Sequence, residues 1–315
     1  MNDKNLKRVL ILLSTYNGER FLDQQLDSIY AQENVDYHIL ARDDGSSDTT
    51  LDVLHNYSQN YGRMTIIEGE NVGAACSFFS LIKYAVDKMP RYDYYAFCDQ
   101  DDVWYNDKLA RAVRCLQSSS NLLNLYFSMA NLCDADNKII GKTSMPRDIG
   151  YHTVFFNNPA LGCTQVLSYD LLCMGLDVPY IISHDTKKQR ALLHDAWIYD
   201  VASFTDAFMM CDDRTSMSYR QHGSNVTTYK KSWFQKYKFV IKNINKYRNA
   251  RYQESWLLKK YEDRYSEEKR DYLNMFCHYK DNWFKTVLCA FKANLKCRAL
   301  ADRVLFRLMI VTRTF

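Results

Sequence analysis

The chain has 315 residues, 47% of them hydrophobic and 14% aromatic, with 41 Lys and Arg against 37 Asp and Glu for a net charge of +4. This is enough apolar material for one large domain or a domain with an appendage, and four prolines and ten glycines exclude a collagen-like or linker-rich design. The ten cysteines contain no Cys-x-x-Cys pair, so reduced cytoplasmic thiols are expected, and no nucleic-acid partner is.

Met1 to Arg8 is polar, and the apolar run Val9 to Leu13 is too short for a signal peptide or a membrane span. Val9 to Ser14 reads as a strand, after which Phe21, Leu22, Leu26, Ile29 and Tyr30 recur at helical spacing. Tyr37 to Ala41 is a second strand, running into Arg42-Asp43-Asp44-Gly45, and Leu51, Leu54, Tyr57 and Tyr61 mark a second helix. Met64 to Ile67 is a third strand, and Asn71-Val72-Gly73 leads into a helix bearing Phe78, Phe79, Ile82, Ala85 and Val86. Tyr94 to Cys98 is a fourth strand and ends in acidic residues. The alternation predicts an α/β fold with a mostly parallel sheet and helices on both faces. Ligands bind such sheets beyond the carboxyl ends of the strands, where Ser14-Thr15-Tyr16-Asn17, Asp43-Asp44 and Asp99-Gln100-Asp101-Asp102 all fall. No Gly-x-Gly-x-x-Gly follows the first strand, which argues against a dinucleotide oxidoreductase.

The last proline is Pro179 and the last glycine Gly223, so everything beyond can be helical. From Lys230 to Phe315 there are 21 Lys and Arg against 8 Asp and Glu, a charge of +13, which leaves 20 against 29 in residues 1–229. The two parts are expected to meet different partners.

Asp99, Asp101 and Asp102 put three carboxylates within four positions, where they repel one another unless something intervenes. A hard cation such as Mg²⁺ or Mn²⁺, which also takes phosphate oxygens, resolves that repulsion; a solvated acidic turn is the other reading. Asp43-Asp44-Gly45-Ser46-Ser47-Asp48 is equally good turn and helix-cap chemistry.

In order, Ser14-Thr15-Tyr16-Asn17, Asp43-Asp44-Gly45-Ser46-Ser47-Asp48, Asn71-Val72-Gly73 and Phe97-Cys98-Asp99-Gln100-Asp101-Asp102-Val103-Trp104 resemble the family 2 glycosyltransferases of the GT-A fold, over roughly residues 8–229. The last string, with Tyr219-Arg220-Gln221-His222-Gly223-Ser224-Asn225-Val226, resembles the bacterial rhamnosyltransferase branch. The resemblance implies a Rossmann-like GT-A domain over 1–229, a basic helical extension over 230–315, and an inverting transfer from a nucleotide sugar. It implies Thr15, Asn17, Asp43 and Asp44 at the donor nucleotide, and Asp99 at the ribose or in the outer shell of the metal. Asp101 and His222 would hold Mg²⁺ or Mn²⁺, Arg220 would lie against the diphosphate, and Asp195 of His194-Asp195-Ala196-Trp197 would be the base. An aspartate of ordinary pKa, about 3.9, is already ionised at neutral pH, and capping its helix is the other reading of Asp195. The implied donor is dTDP-rhamnose, or alternatively a UDP-hexose, and the acceptor a lipid-linked or free oligosaccharide in surface polysaccharide (O-antigen or capsule) assembly. The Gln-x-x-Arg-Trp motif of processive synthases is missing, so one sugar or a few per encounter is expected.

Two other classes compete. Asp99-Gln100-Asp101-Asp102-Val103 also fits the Asp-x-Asp-x-Val pattern of haloacid-dehalogenase-type phosphatases, with Asp212-Asp213 as a later metal pair, and an inactive transferase domain could serve as a sugar-binding scaffold. In the tail, Trp283, Val287, Ala290, Phe291 and Asn294 recur at helical spacing, with Phe284, Leu288 and Leu295 beside them and Lys285, Lys292 and Lys296 flanking. Leu300, Val304, Leu305 and Leu308 with Arg298, Arg303 and Arg307 repeat the arrangement. These read as basic amphipathic helices, and peripheral binding to the cytoplasmic leaflet through 282–313 is expected, against packing on the same chain or on a second subunit of a homodimer.

Overall fold

The computed structural model describes residues 6–155, 158–176, 192–222, 250–293 and 300–313. The 229/230 boundary, Gly223 to Val226, Asn294 to Lys296 and Arg298 lie outside the described residues. The first half alternates as its sequence requires: β1 (Arg8–Thr15), α1 (Glu19–Tyr30), β2 (Asp36–Asp43), α2 (Thr50–Tyr61), β3 (Met64–Glu68), α3 (Ala74–Lys88) and β4 (Tyr94–Cys98). Beyond it come β5 (Val103–Trp104), α4 (Lys108–Gln117), β6 (Asn124–Cys133), β7 (Ile139–Lys142), β8 (Val166–Ser168), α5 (Tyr169–Gly175), α6 (His194–Phe204) and β9 (Phe208–Arg220).

All nine strands join one sheet in the order β3-β2-β1-β4-β8-β6-β9-β5, with β7 beside β6. The pairs β3–β2, β2–β1 and β1–β4 are parallel. The three-residue β8 runs antiparallel to both β4 and β6, and β6 and β9 are parallel again. The apolar run in β1 has no polar alternation because both faces of the sheet are covered. Leu10 and Leu12 meet Phe78, Leu81 and Trp197 on one face, whereas Val9, Ile11 and Leu13 meet Leu22, Leu26 and Leu109 on the other.

The tail is helical where described: α7 (Ala250–Leu258), a 3₁₀ stretch Lys259–Arg264, α8 (Glu267–His278), α9 (Trp283–Lys292) and α10 (Leu300–Val311). Leu258, Leu273, Phe276, Cys289 and Ile310 share a core with Trp197, Tyr199 and Phe204 of α6, so the change in charge along the sequence is not a change of core. Phe276 lies 4.6 Å from Phe155, ring centre to ring centre. Among the described residues no helix is long and apolar enough to cross a membrane. The nine described cysteines form no disulfide with one another.

One buried cation couples the two parts. Lys269 of α8 donates through Nζ to the carbonyls of Ser203 (2.8 Å) and Phe204 (3.2 Å) and to Asp206 Oδ1 (2.6 Å). It thereby satisfies the last carbonyls of α6, where the helix dipole also favours positive charge. Lys269→Met is expected to lower the unfolding free energy in urea by about 2–3 kcal/mol. Fluorescence and circular dichroism should report a single shared transition; two separate steps would mean that the tail unfolds alone.

Candidate active site

Parallel pairing aligns the carboxyl ends of β2, β1 and β4, with Thr15 opposite Asp43 and Leu13 opposite Cys98. The loops that leave these ends are laced together. Thr15 Oγ1 donates to Asp43 Oδ1 (3.0 Å), and Asp43 also accepts from the backbone N–H (2.8 Å) and hydroxyl (2.6 Å) of Ser46. Gly45 makes that turn with φ +77°, and a β-carbon there would stand 3.0 Å from the Asn71 nitrogen. Asn17 takes a left-handed backbone (φ 46°), and its Oδ1 accepts from Ser47 N–H at 2.8 Å. Asp44 accepts from the N–H groups of Val72 (3.0 Å) and Gly73 (2.8 Å) and pairs with buried Arg42. Thr15, Asp43 and Asp44 are therefore nearly covered and organise the 14–17, 43–48 and 71–73 loops as one wall.

The acidic turn after β4 separates its three carboxylates. Asp102 is fully buried, its Oδ1 accepting from the backbone N–H of Arg220 (3.0 Å), while Asp99 and Asp101 are half-buried. Asp101 Oδ2 lies 2.7 Å from His222 Nε2, so the end of β9 delivers an imidazole to the acidic turn. Burial, then Asp101, then Asp195 push the Asp99 carboxyl up to about 7, and burial holds Asp102 well above the usual carboxylate range. Lys108, buried over the Trp104 ring (4.5 Å), lies beneath the turn, and burial draws its pKa down to about 8.

Asp99, Asp102 and Cys163 also have ligand atoms within 4.8 Å of one another. That trio suits a hard cation poorly: burial keeps the thiol protonated, and Asp102 Oδ1 is taken by the Arg220 N–H, leaving only Oδ2. The pair whose chemistry suits Mg²⁺ or Mn²⁺ is Asp101 and His222, whose Oδ2 and Nε2 lie 2.7 Å apart. Asp99 and Asp102 approach Cys163 while Asp101 meets His222, because successive residues of a tight turn point opposite ways.

Arg220, which the resemblance sets against the diphosphate, is buried. It has no exposed surface: Nε donates to the Asp101 carbonyl (2.7 Å), Nη2 to Gln24 Oε1 (2.7 Å) and Nη1 to the Ala135 carbonyl, and the guanidinium lies 4.5 Å over Phe21. Its guanidinium is engaged by the acidic turn, by α1 and by the segment after β6.

Asp195 occupies the first turn of α6, its Oδ1 accepting from Ala196 N–H (2.8 Å) and its Oδ2 from Asn158 (3.4 Å). A β-carbon on Gly162 would stand 3.1 Å from Asp195 Cβ, so this loop passes close against the helix. Burial raises the Asp195 carboxyl to about 6, and its charge is felt at Asp99. Neighbouring His194 stacks 3.8 Å from Phe78, and burial lowers it to about 3, which keeps it neutral. Asp212, the alternative metal ligand of a phosphatase, is committed to Arg111 (2.6 Å) and Tyr126 (2.9 Å) at the opposite end of β9 from Arg220, and lies at about 2 because those partners outweigh its burial.

Several contributors went unread in the sequence. Gln100 clamps the Tyr16 backbone, accepting from its N–H (2.7 Å) and donating to its carbonyl (3.0 Å). Lys108 left a usable signal, a charge at i, i+4 and i+8 with the buried Ala112 and Leu116. Arg42, Gln24 and Asn158 left none.

A family model described as Glycosyl transferase family 2 matches residues 10–156. The chain is 33% identical over 251 residues to the dTDP-rhamnosyl transferase RfbG of Shigella flexneri, covering 76% of this chain and 84% of that one. It is 26% identical over 190 residues to the UDP-Glc:alpha-D-GlcNAc-diphosphoundecaprenol beta-1,3-glucosyltransferase WfgD of Escherichia coli, covering 59% and 70%. Its fold is shared with S. aureus TarS 1-349 in complex with UDP, at TM-score 0.56 and 15% identity over 92% and 76% of the chains. It is also shared with the mannosyltransferase PcManGT of Pyrobaculum calidifontis in complex with GDP-Man and Mn²⁺, at TM-score 0.50 and 14% identity over 99% and 85%.

Arg220→Lys keeps the charge but loses the planar fork, and is expected to cost about 3 kcal/mol of stability. Thermal unfolding of the purified variant checks this. An unchanged midpoint would return Arg220 to the cleft.

Proposed function

Because the chain belongs to glycosyl transferase family 2, we propose that it is an inverting, metal-dependent enzyme that moves rhamnose from dTDP-rhamnose to a saccharide acceptor in bacterial surface polysaccharide assembly. The observation that carries the reaction class is the meeting of Asp99, Asp101 and His222 with Asp195 beyond the carboxyl ends of one sheet. The similarity to RfbG supports rhamnose as the sugar, and the similarity to WfgD supports a UDP-hexose as the alternative. WfgD also supports an acceptor on a polyprenyl diphosphate, which would set the reaction at the inner face of the cell membrane.

In this reading Thr15, Asn17, Asp43 and Asp44 shape the wall against which the nucleotide rests, and Asp99 sits at the ribose or outside the metal shell. Asp101 and His222 hold Mg²⁺ or Mn²⁺, which when bound offsets the negative charge of the departing diphosphate. Asp195 takes the acceptor hydroxyl proton as the new C–O bond forms, and the bond from the sugar to the diphosphate breaks with its electron pair on the nucleotide. A base raised to about 6 is ionised at neutral pH yet more basic than a free aspartate, which narrows its gap to the hydroxyl. Arg220 acts from behind, by keeping the acidic turn and His222 together.

A donor screen by released nucleoside diphosphate, with an extracted lipid-linked acceptor, tests the sugar: turnover from dTDP-rhamnose is expected, and turnover from UDP sugars alone would exclude rhamnose. Asp101→Asn should abolish turnover in a folded protein, and calorimetry should find donor binding far weaker in EDTA than in Mn²⁺. Equal affinities would count against the metal assignment. Asp195→Asn should cut kcat by about 10²–10⁴-fold while leaving donor affinity unchanged. Since the working base is the ionised form, kcat/KM of the native enzyme should fall as pH drops through about 6. A profile flat across that range would remove Asp195 as the base.

A further inference from the structure

We propose that α9 and α10 form a docking face for an anionic lipid surface. α9 turns its small residues inward and its large apolar residues outward. Thr286, Cys289, Ala290 and Ala293 are buried, whereas Trp283, Phe284 and Phe291 are 60%, 74% and 75% exposed. At 3.6 residues per turn Phe284 and Phe291 lie on the side of the helix opposite the buried set, Leu288 extends that outer side, and Trp283 stands at the edge of the buried one. A helix that only packs on its own domain does the reverse, burying its largest apolar side chains. Inward packing therefore accounts for one side of α9 and leaves the other unexplained.

The neighbouring helix continues the surface. Arg313, just past α10, donates through Nε to Thr286 Oγ1 at 3.1 Å, and Val304 and Leu308 of α10 are themselves exposed. Exposed Lys285 and Lys292 lie together on the flank of α9, Lys285 in a solvated pair with Asp281, and Arg307 is exposed on α10. Aromatic rings at the level of the headgroups, with long basic side chains beside them, are what an interfacial helix presents to a bilayer.

Charge selects among occupants. Residues 281–313 hold seven Lys and Arg against Asp281 and Asp302, so apposing two copies of this face would bring like charges together, whereas an anionic bilayer attracts them. The described helices are too short and too polar to span, which leaves them lying in the interface plane. The face is separate from the transfer site and does not depend on which sugar is moved.

Flotation of the full chain at low salt tests it, with phosphatidylcholine vesicles that do or do not contain phosphatidylglycerol. The native protein should rise with the anionic vesicles only. A variant carrying Trp283→Gln, Phe284→Gln and Phe291→Gln alters exposed positions, so its unfolding midpoint should hold while vesicle affinity falls roughly tenfold or more. Lys285→Glu with Lys292→Glu should lose binding to anionic vesicles independently of the aromatic changes. Native protein that stays down with both vesicles overturns the proposal. So does a native dimer in sedimentation that the aromatic variant converts to monomer without any flotation, which would assign the face to a second copy.

Discussion

A guanidinium removed entirely from water must find a partner for each of its donors, and Arg220 does so by joining segments distant in the chain. Its contacts reach α1 through Gln24 and Phe21, the acidic turn through the Asp101 carbonyl, and the segment after β6 through Ala135, while its backbone N–H goes to Asp102. Desolvating an arginine is costly, and only this full set of acceptors makes burial tolerable. The consequence is positional: β9 ends where its next residues bring His222 to Asp101, and Phe21 packs against both the guanidinium and the imidazole, whose centre is 5.1 Å from its own. Asp102 and Arg220 thus set the geometry that Asp101 and His222 present.

Acidic groups converge on that geometry at real electrostatic expense. Asp99 feels Asp101 and Asp195, and all three stand in a partly dehydrated cleft, so full ionisation without a counter-charge is unfavourable. Lys108 beneath the turn offers one positive group, itself weakened by burial. A divalent cation would complement such a cluster, which ties the electrostatics of the chain to its proposed chemistry. Burial also gives Asp195, packed against the Gly162 loop, the higher proton affinity that a base needs.

The basic tail is both part of the core and a distinct surface. Lys269 closes the end of α6 opposite to Asp195, and Phe276 and Cys289 lie in the same core as Trp197, so the helix bearing the proposed base is held from both ends. Outward, the tail offers aromatic and basic side chains that this core does not use. Stability and surface recognition are separated on opposite sides of one short helix, α9.

The sequence by itself determined the strand and helix order of the first half, because short apolar runs, as in β1, β2 and β4, and the 3.6-residue period of the helices between them are local properties. It also determined that acidic and small polar residues cluster at the strand ends, and four ordered strings were enough to indicate the family. β8 was beyond reach at three residues, too short for a period, and its antiparallel insertion depends on partners it finds only in the folded sheet. Only the tertiary structure decided that Asp101 faces the cleft while Asp102 faces inward, that Arg220 lies behind the turn, and that α9 buries alanine and exposes phenylalanine. Adjacent residues in a turn diverge, and a helix has more than one apolar side, so direction comes from which neighbour arrives to cover it, and that neighbour lies elsewhere in the chain.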